Sequence, residues 1–579
     1  MADKGRFWNV SVCVFAAAVL FYGLARARHE FRWSGWALGD AQNLNAALHF
    51  ADEGFRNHYF LTYYHSGFLG ESYGNESQAG YYTRYPPLSA VWNGFLIKFF
   101  SATRTCLKSA SVVLSCLALL FAYGSLSFFF TRRAAFFATA AIGGSVGFLQ
   151  FMDSVSLYTY SEFFRFSGIF FFLLSEKNKA KPSVFYVSAI LAWTITFLES
   201  LNSLDYIFFF QAFFLAYFFL SGEGFPFKKI AFYVLAPAAG CALHFTQDVL
   251  ALHPYGFSAA DAFLKAFPDK IAPFHKGIFH VFSFITYFAR TMEGHFVNTN
   301  FGFGFGVLYL MTASIFLISA GRIPAPALIR PPFTLGRTFA LFVIPSVSWW
   351  VIFPNQSASF FNSAMHAFPV VGLAFGLAMD TAIAAVQKPD SGLPLKTGAV
   401  LLLIGSAWSP VLFTGKYLKE YPNLLDPSQK IMQSGAFHGL DRARLENLTR
   451  LMRPVKDATR YGDIILCPRI FYNEHHFYEF YAQRRMEWFG KELAWYPREE
   501  KENLDTFKLK LEEMKKYREE GAAIYKIFNP RLKIYGLSRA SENPEIHQFL
   551  SKNFKNRDLG EGWMLFDVES PLKPERTRR

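Results

Sequence analysis

The sequence contains little charge and little cysteine for its length. Of its 579 residues, 18% are Asp, Glu, Lys or Arg, compared with roughly 25% in soluble globular proteins. Its five cysteines lie mostly in or beside apolar runs, and their spacing predicts neither a disulfide framework nor a zinc site. Hydrophobic residues instead make up 52% of the chain and aromatic residues 19%. This composition excludes an ordinary water-soluble domain.

The apolar residues come in long runs, without the spacing of amphipathic helices or half-buried strands. The run from Ser109 to Phe130 has no charge over the roughly 20 residues that a helix needs to cross about 30 Å of hydrocarbon. The runs predict a mainly α fold, a polytopic membrane helical bundle of about 11 spans. We place the spans near 7–25, 109–130, 134–152, 160–175, 183–200, 205–221, 228–246, 302–320, 338–353, 364–382 and 397–414.

Loop charges predict the orientation of this bundle. With the N-terminus in the cytoplasm, every inner loop is basic, as the positive-inside rule requires, so the net charge of +14 indicates no nucleic-acid partner. This orientation holds only if the apolar segment Pro86 to Phe100 does not cross fully, so we expect a re-entrant or interfacial helix there. We expect a multi-pass protein of a bacterial inner (plasma) membrane, with an external C-terminal domain.

The charge distribution divides the chain into two predicted domains. Residues 1–415 form the transmembrane domain, which includes a first external loop at 26–108, and residues 416–579 form an external α/β domain. Short strand patterns at 462–468, 522–528 and 563–568, with helical patterns between them, indicate the small α/β unit. The first loop is too long for a simple connector, so we expect it to carry function.

Three motifs in the first part of the chain are similar to one enzyme superfamily. They are WALGDAQNLNAALHFADEGF from Trp36, YTRYPPL from Tyr82, and the cytoplasmic FTRRAA from Phe130. Together they resemble the GT-C glycosyltransferases, in the branch of protein mannosyltransferases and lipid A aminoarabinose transferases. The likeness covers roughly residues 1–220. Two positions depart from the pattern: Ala41 replaces an acidic residue, and Tyr85 replaces a histidine before Pro-Pro.

The resemblance implies an enzyme that moves a sugar from a polyprenyl-phosphate carrier to an acceptor at the external face, as an inverting hexosyl- or pentosyltransferase. Asp40 is then the catalytic carboxylate, and a helix N-cap is its alternative role. Arg84 is the expected contact of the leaving phosphate, with snorkelling to lipid headgroups as its alternative. Tyr82, Tyr85 and Arg290 complete the expected donor-phosphate site.

Further polar residues lie at the predicted outer ends of spans. Asp153, Glu162, Glu199 and His366 form an expected second polar cluster. The alternative is helix capping for Asp153 and Glu162, a structural role for Glu199, and an interfacial position for His366. The sequence identifies no cofactor and leaves a divalent metal ion open. His244 and Asp248 are the weak metal candidates, because no ligand spacing stands out.

Rival functions share the predicted spans. A lipid or solute transporter or flippase would show two corresponding halves with interrupted helices, and the sequence has no such repeat. An oligosaccharide ligase or polymerase of the same fold stays open, and so does a noncatalytic membrane anchor. The expected partners are a polyprenyl-phosphate-linked sugar donor, the lipid bilayer, and a lipid, glycan or protein acceptor.

Overall fold

The described part of the chain falls into two compact units. The structure is a computed structural model that describes residues 2–28, 37–63, 81–82, 86–222, 226–253, 258, 260, 333–352, 365–366, 368–387, 396–400, 442–468, 475–489, 503–520 and 531–572. The helical unit comprises Met1–Trp36, Thr103–Phe245 and Leu264–Ile431, and the mixed unit comprises Ala37–Ala102, Thr246–Phe263 and Met432–Arg579. The predicted boundary at 415/416 lies outside the described residues and stays a prediction.

Helices make up most of the described chain. In chain order they are α1 (Ala2–Ala27), α2 (Ala37–Glu53), a 3-10 turn (Arg56–His58), α3 (Leu88–Phe100), α4 (Arg104–Leu126), α5 (Arg132–Gly143), α6 (Val146–Phe151), α7 (Leu157–Lys177), α8 (Pro182–Ser200), α9 (Leu204–Ser221), α10 (Phe227–Leu252), α11 (Leu335–Ile352), α12 (Phe368–Gln387), α13 (Arg442–Ala458), α14 (His475–Ala482), α15 (Leu504–Glu520) and α16 (Pro544–Asn553). The strands are β1 (Thr62–Tyr63), β2 (Tyr81–Tyr82), β3 (Ile464–Cys467), β4 (Arg485–Trp488), β5 (Ile534–Arg539), β6 (Phe554–Gly560) and β7 (Trp563–Pro571).

Five helices in the described residues have the length and hydropathy to cross a membrane. They are Arg6–Ala27, Arg104–Leu126, Pro182–Ser200, Phe227–Leu252 and Phe368–Gln387. Each lies at a predicted span, and this is the pattern of a multi-pass membrane protein. Helices α7, α9 and α11 lie at three further predicted spans. The span predicted at 302–320 and most of the span at 397–414 lie outside the described residues, so the total of about 11 stays a prediction.

The predicted span at 134–152 is wrong as a single helix. The chain there forms two shorter helices, α5 and α6, with a break at Gly144 and Ser145. Ser145 is the N-cap of α6, because its hydroxyl accepts a hydrogen bond from the backbone N–H of Phe148 at 3.2 Å. Hydropathy could not reveal the break, since Ser and Gly interrupt an apolar run only weakly.

Aromatic side chains form the main core of the helical unit. The ring of Phe172 lies with its centroid 4.8 Å from that of Phe214 and 5.1 Å from that of Tyr233. Phe209 and Phe213 are buried in the same cluster. Aromatic pairs at these separations gain stabilisation beyond their buried area, so these ring contacts help to hold the helices of the unit together.

Helices α5 and α12 pack closely through small residues. A Cβ added to Gly372 would lie 2.8 Å from the carbonyl oxygen of Ala138, and one added to Gly376 would lie 2.8 Å from the Ala138 Cβ. The two glycines are four residues apart, the spacing of the close-packing motif of membrane helices. An ion pair between Arg133 and Asp380 joins the same two helices.

The mixed unit contains a five-stranded sheet in the order β4-β3-β5-β7-β6. Strand β3 is parallel to β4 and β5, while β7 is antiparallel to β5 and β6. Strands β3 and β7 lie where the sequence predicts strands, and the strand predicted at 522–528 falls outside the described residues. Leu61 and Tyr63 of the first loop belong to the same core as Ile464 and Phe566 of the sheet. The first loop therefore folds with the C-terminal region.

Helix α3 is the segment predicted to be interfacial. Its 13 residues span about 20 Å, short of the roughly 30 Å of a hydrocarbon core. It leaves Trp92, Phe99 and Phe100 exposed. A Cβ added to Gly94 would lie 2.8 Å from the Phe50 Cβ and 2.9 Å from the Ala47 carbonyl oxygen, so α3 packs tightly against α2.

The close contact of α5 and α12 predicts that Gly376→Ala destabilises the protein. The added methyl group meets the Ala134 carbonyl and Ala138, and such overpacking costs about 1–3 kcal/mol. Thermal unfolding in detergent should therefore begin at a lower temperature. Gly336→Ala is the matched control, because a Cβ there meets nothing within 4 Å. Equal unfolding temperatures for the two variants would contradict the close packing.

Candidate functional site

Asp40 lies in the first turn of α2 and is fully buried. The helix begins at Ala37, so Asp40 is inside the first turn and not at the N-cap position. A carboxylate in this turn is stabilised by the partial positive charge of the helix N-terminus. The sequence could therefore locate Asp40 at a helix start, but not its burial.

Amide and hydroxyl groups between α2 and α3 hold α2 in place. The side-chain amide of Asn43 donates a hydrogen bond to the Ser89 hydroxyl at 2.7 Å. The amide of Asn93 in turn donates to the Asn43 side-chain oxygen at 2.8 Å. Asn93 and Ser89 are buried, and Asn43 lies one turn after Asp40. This network fixes the helix that carries the predicted catalytic carboxylate.

At the other end of α2, two histidines converge on one glutamate. The Nδ1 of His49 lies 2.7 Å from Oε1 of Glu53, and Nε2 of His58 lies 2.6 Å from its Oε2. All three side chains are buried. The Tyr461 hydroxyl donates to Oε1 of Glu53 at 2.6 Å and lies 3.0 Å from the His49 Nδ1. We call these four residues the histidine cluster.

The surroundings of the histidine cluster set its protonation states. Burial raises the pKa of Glu53, but its contacts with His49 and His58 outweigh burial and lower that pKa well below the usual range. Burial lowers the pKa of His58, and the hydrogen bond to Glu53 offsets this only in part. Burial and the Glu53 carboxylate both raise the pKa of Tyr461. At neutral pH, Glu53 is therefore ionised, His58 is neutral and Tyr461 keeps its proton.

In the helical unit, Asp153 binds two cations. Its Oδ1 lies 2.9 Å from Nη2 of Arg26, and its Oδ2 lies 2.8 Å from Nζ of Lys108. All three side chains have 0% exposure. Arg26 also donates to the Leu149 carbonyl, and the Ser115 hydroxyl donates to that of Met152 at 3.0 Å. The ends of α1, α4 and α6 therefore meet at one carboxylate.

A second group of buried polar residues surrounds Arg165 on α7. Its guanidinium pairs with Glu162 and donates to the Met365 carbonyl at 3.0 Å. The Tyr206 hydroxyl donates to Glu162 at 3.1 Å, and the Tyr206 ring lies 4.4 Å from that of His366. Glu199 interacts electrostatically with Glu162 and Arg165. The structure thus brings together Glu162, Glu199 and His366. Asp153 lies apart from them, paired with Arg26 and Lys108.

The remaining predicted site residues are described only in part. Tyr82 belongs to β2, where it pairs with Thr62. Arg84, Tyr85 and Arg290 lie outside the described residues. His244 and Asp248 are both buried on α10. Among the described residues, the group of three metal-ligating side chains that converges is His49, Glu53 and His58, and it does not include His244 or Asp248.

Sequence comparison gives no match for this chain, either to a protein-family profile or to a curated protein. Structural comparison does. ArnT from Cupriavidus metallidurans, solved bound to undecaprenyl phosphate, superposes with a TM-score of 0.55 over 96% of this chain and 97% of its own, at 13% identity. The oligosaccharyltransferase AglB from Archaeoglobus fulgidus, in complex with an inhibitory peptide and a dolichol-phosphate, gives 0.52 over 95% and 73%, at 12% identity. The chain has the GT-C fold.

The GT-C fold confirms the resemblance that the three motifs in the first part of the sequence indicate. AglB has also been solved in complex with zinc and sulfate, and that structure superposes with a TM-score of 0.50 at 12% identity, over 94% of this chain and 71% of its own. At such identities the likeness establishes the fold and does not transfer residue roles. The roles of individual side chains must come from the geometry of this chain.

Within this GT-C fold, the sequence misses Arg26, Lys108, His49 and His58 as functional candidates. Arg26 and Lys108 stand at the ends of apolar runs, where a basic residue usually snorkels to the membrane surface. His49 and His58 are nine residues apart, which matches neither a helix face nor a common zinc spacing. A signal was present for His49 alone, since it stands four residues before Glu53, which is the spacing of neighbours on one face of a helix.

The buried position of Asp153 predicts that Asp153→Asn strongly destabilises the helical unit. Removing one partner from a buried ion cluster costs about 3–5 kcal/mol, because the remaining charges lose their compensation. Lys179→Met is the control. Lys179 is exposed, and its partner Glu176 keeps a second ion pair with Lys229 at 3.1 Å, so the loss should be below about 1 kcal/mol. Thermal unfolding in detergent measures the stability of the two variants. Equal unfolding temperatures for Asp153→Asn and Lys179→Met would contradict the buried ion cluster.

Proposed function

We propose that the chain is a membrane glycosyltransferase that moves a sugar from a polyprenyl-phosphate carrier to an acceptor at the external face of the membrane. The superposition on ArnT over 96% of this chain, a protein solved with undecaprenyl phosphate, carries this proposal. The buried carboxylate of Asp40 in the first turn of α2 supports it. The acceptor is a lipid, a glycan or a protein, and the expected location is a bacterial plasma membrane.

In the proposed reaction, an acceptor hydroxyl attacks the anomeric carbon of the donor sugar. A bond forms between the acceptor oxygen and this carbon, and the bond from the carbon to the phosphate oxygen breaks. Asp40 takes the hydroxyl proton as general base, and the polyprenyl phosphate leaves as an anion. A single displacement inverts the configuration at the anomeric carbon.

The leaving phosphate needs cationic groups beside it. Arg84, with Tyr82, Tyr85 and Arg290, is the set that the sequence motif suggests. A guanidinium such as that of Arg84 carries five N–H donors, so it can contact more than one phosphate oxygen. Ionised donors form the stronger hydrogen bonds to phosphate.

The group around Arg165 has a positioning role in this proposal. Glu162, Glu199 and His366 are buried and interact with one another through Arg165 and Tyr206. Charged groups at membrane depth are costly unless they are paired or line an aqueous cavity. We therefore infer that these residues hold α7, α8 and α9 together and do not contact the reacting atoms.

Turnover by Asp40→Asn tests the proposal. With a labelled polyprenyl-phosphate sugar and membrane extract as acceptor source, the variant should release polyprenyl phosphate at least about 100-fold more slowly, since a general base contributes about 10²–10⁴-fold. Asp52→Asn is the matched control, because this carboxylate is on the same helix but exposed. It should retain the wild-type rate.

Each other outcome of this assay favours a different function. Equal rates for Asp40→Asn and wild type would rule out the proposed base. Release of polyprenyl diphosphate from an oligosaccharide donor would instead identify a ligase or polymerase. A wild-type protein that binds no prenyl-linked sugar would favour a transporter, a flippase or an anchor.

A further inference from the structure

We propose that His49, Glu53 and His58 bind a divalent transition-metal ion, with Zn²⁺ as the best fit, and that this ion fixes α2 to the C-terminal region of the mixed unit. The inference does not depend on the proposed glycosyl transfer, because it concerns ligand atoms at the far end of α2 from Asp40.

The local backbone brings the three side chains together. His49 and Glu53 are four residues apart on α2, so they lie on one face of the helix. The helix ends at Glu53, and Gly54 follows with a φ of +96°, a conformation that side-chain-bearing residues rarely adopt. The chain then turns through the 3-10 helix Arg56–His58. This reversal places His58 opposite Glu53.

The donor set and its spacing suit a metal ion. The ligand atoms of the three residues all lie within 4.8 Å of one another. An ion among them with bonds of about 2.0–2.2 Å requires each side chain to move inward by less than about 1 Å. Two imidazoles and one carboxylate form the set that zinc hydrolases and non-haem iron sites use, with further positions open. The bound rings would carry their protons on the nitrogens that face away from the ion.

Neighbouring aromatic groups already orient the two imidazoles. The His58 ring is stacked on Tyr63 with centroids 4.7 Å apart, and the His49 ring meets the edge of Tyr63 at 5.3 Å. The Tyr461 hydroxyl contacts both Glu53 and His49, so it can orient these ligands or occupy a fourth position. Such outer partners typically change metal affinity by about 10–100-fold.

Burial distinguishes this cluster from an ordinary surface group of polar residues. The exposed fractions of His49, Glu53 and His58 are 2%, 4% and 0%. Buried ionisable groups are normally paired or coordinate metals. A hydrogen-bonded His-Glu-His group without metal is the competing explanation, and the experiment below separates the two.

The position of the cluster indicates a structural ion and not a catalytic one. His49 follows Asp40 by nine residues on the same helix, which is about 13 Å along the helix axis. An ion there cannot touch atoms that react at the Asp40 carboxylate. It would instead hold the end of α2 against Tyr461, which precedes β3 by three residues.

Metal analysis of the full chain tests the inference. The protein is purified in detergent with an affinity tag free of histidine, loaded with Zn²⁺ and dialysed, and its metal content is measured by plasma mass spectrometry. Wild type should retain about one ion per chain, and His58→Gln and Glu53→Gln should retain at most about a tenth of that. Tyr461→Phe should bind Zn²⁺ about ten-fold more weakly than wild type. His547→Gln is the control, because His547 pairs with the Ser538 hydroxyl at 3.0 Å and is not one of the three converging ligands. It should bind Zn²⁺ as wild type does.

A second readout covers variants that fail to fold. Wild type loaded with Co²⁺ should show the visible absorption of a nitrogen- and oxygen-ligated ion, and a chelator should abolish this absorption and lower the unfolding temperature. Wild type that retains no Zn²⁺ or Co²⁺, or a folded His58→Gln variant that binds as wild type, would overturn the inference. Neither result would affect glycosyl transfer, which the donor assay measures separately.

Discussion

The carboxylate of Asp153 holds two cations in a region without solvent, and the arrangement of the helical unit depends on this contact. Arg26 comes from the end of α1, and Lys108 comes from the start of α4. Neither cation can be buried without an anion, because desolvation of an isolated charge costs several kcal/mol. The three side chains therefore specify one mutual position for α1, α4 and the turn after α6.

The two ends of α2 carry different chemistry. Asp40 stands in the first turn, where the helix dipole favours a carboxylate, and the histidine cluster stands at the last turn. The contact of Gly94 with Ala47 and Phe50 fixes the middle of the helix against α3. One rigid element of 17 residues thus links a candidate catalytic group to the C-terminal region through Tyr461. A site on a well-supported helix is held more accurately than one on a loop.

Much of the fold follows from the sequence, because hydrophobic runs report on membrane spans directly. The runs at Arg104–Leu126 and Pro182–Ser200 needed no tertiary information. The break at Gly144 and Ser145 could be found only from the structure, since the capping contact of Ser145 is what distinguishes two helices from one. For the candidate site, Asp40 and Asp153 were predicted from their motif and their place at span ends. The partners of Asp153 were not, because Arg26 and Lys108 are 127 and 45 residues away in sequence and no local pattern records such contacts. His58 was missed for a related reason: it reaches Glu53 through a turn that depends on Gly54.

The proposed function requires that the chain binds a polyprenyl phosphate through cationic side chains such as Arg84, and lipid binding tests this requirement most directly. Native mass spectrometry of the purified chain, titrated with undecaprenyl phosphate and with undecaprenol, compares the lipid with and without its phosphate. The phosphate form should bind, and the alcohol should not compete with it. Arg84→Met should bind the phosphate form at least about ten-fold more weakly, since a hydrogen bond to a charged group is worth about 1.5–3 kcal/mol. Equal binding of the two lipids, or equal affinity of a folded Arg84→Met variant and wild type for undecaprenyl phosphate, would contradict the proposed function.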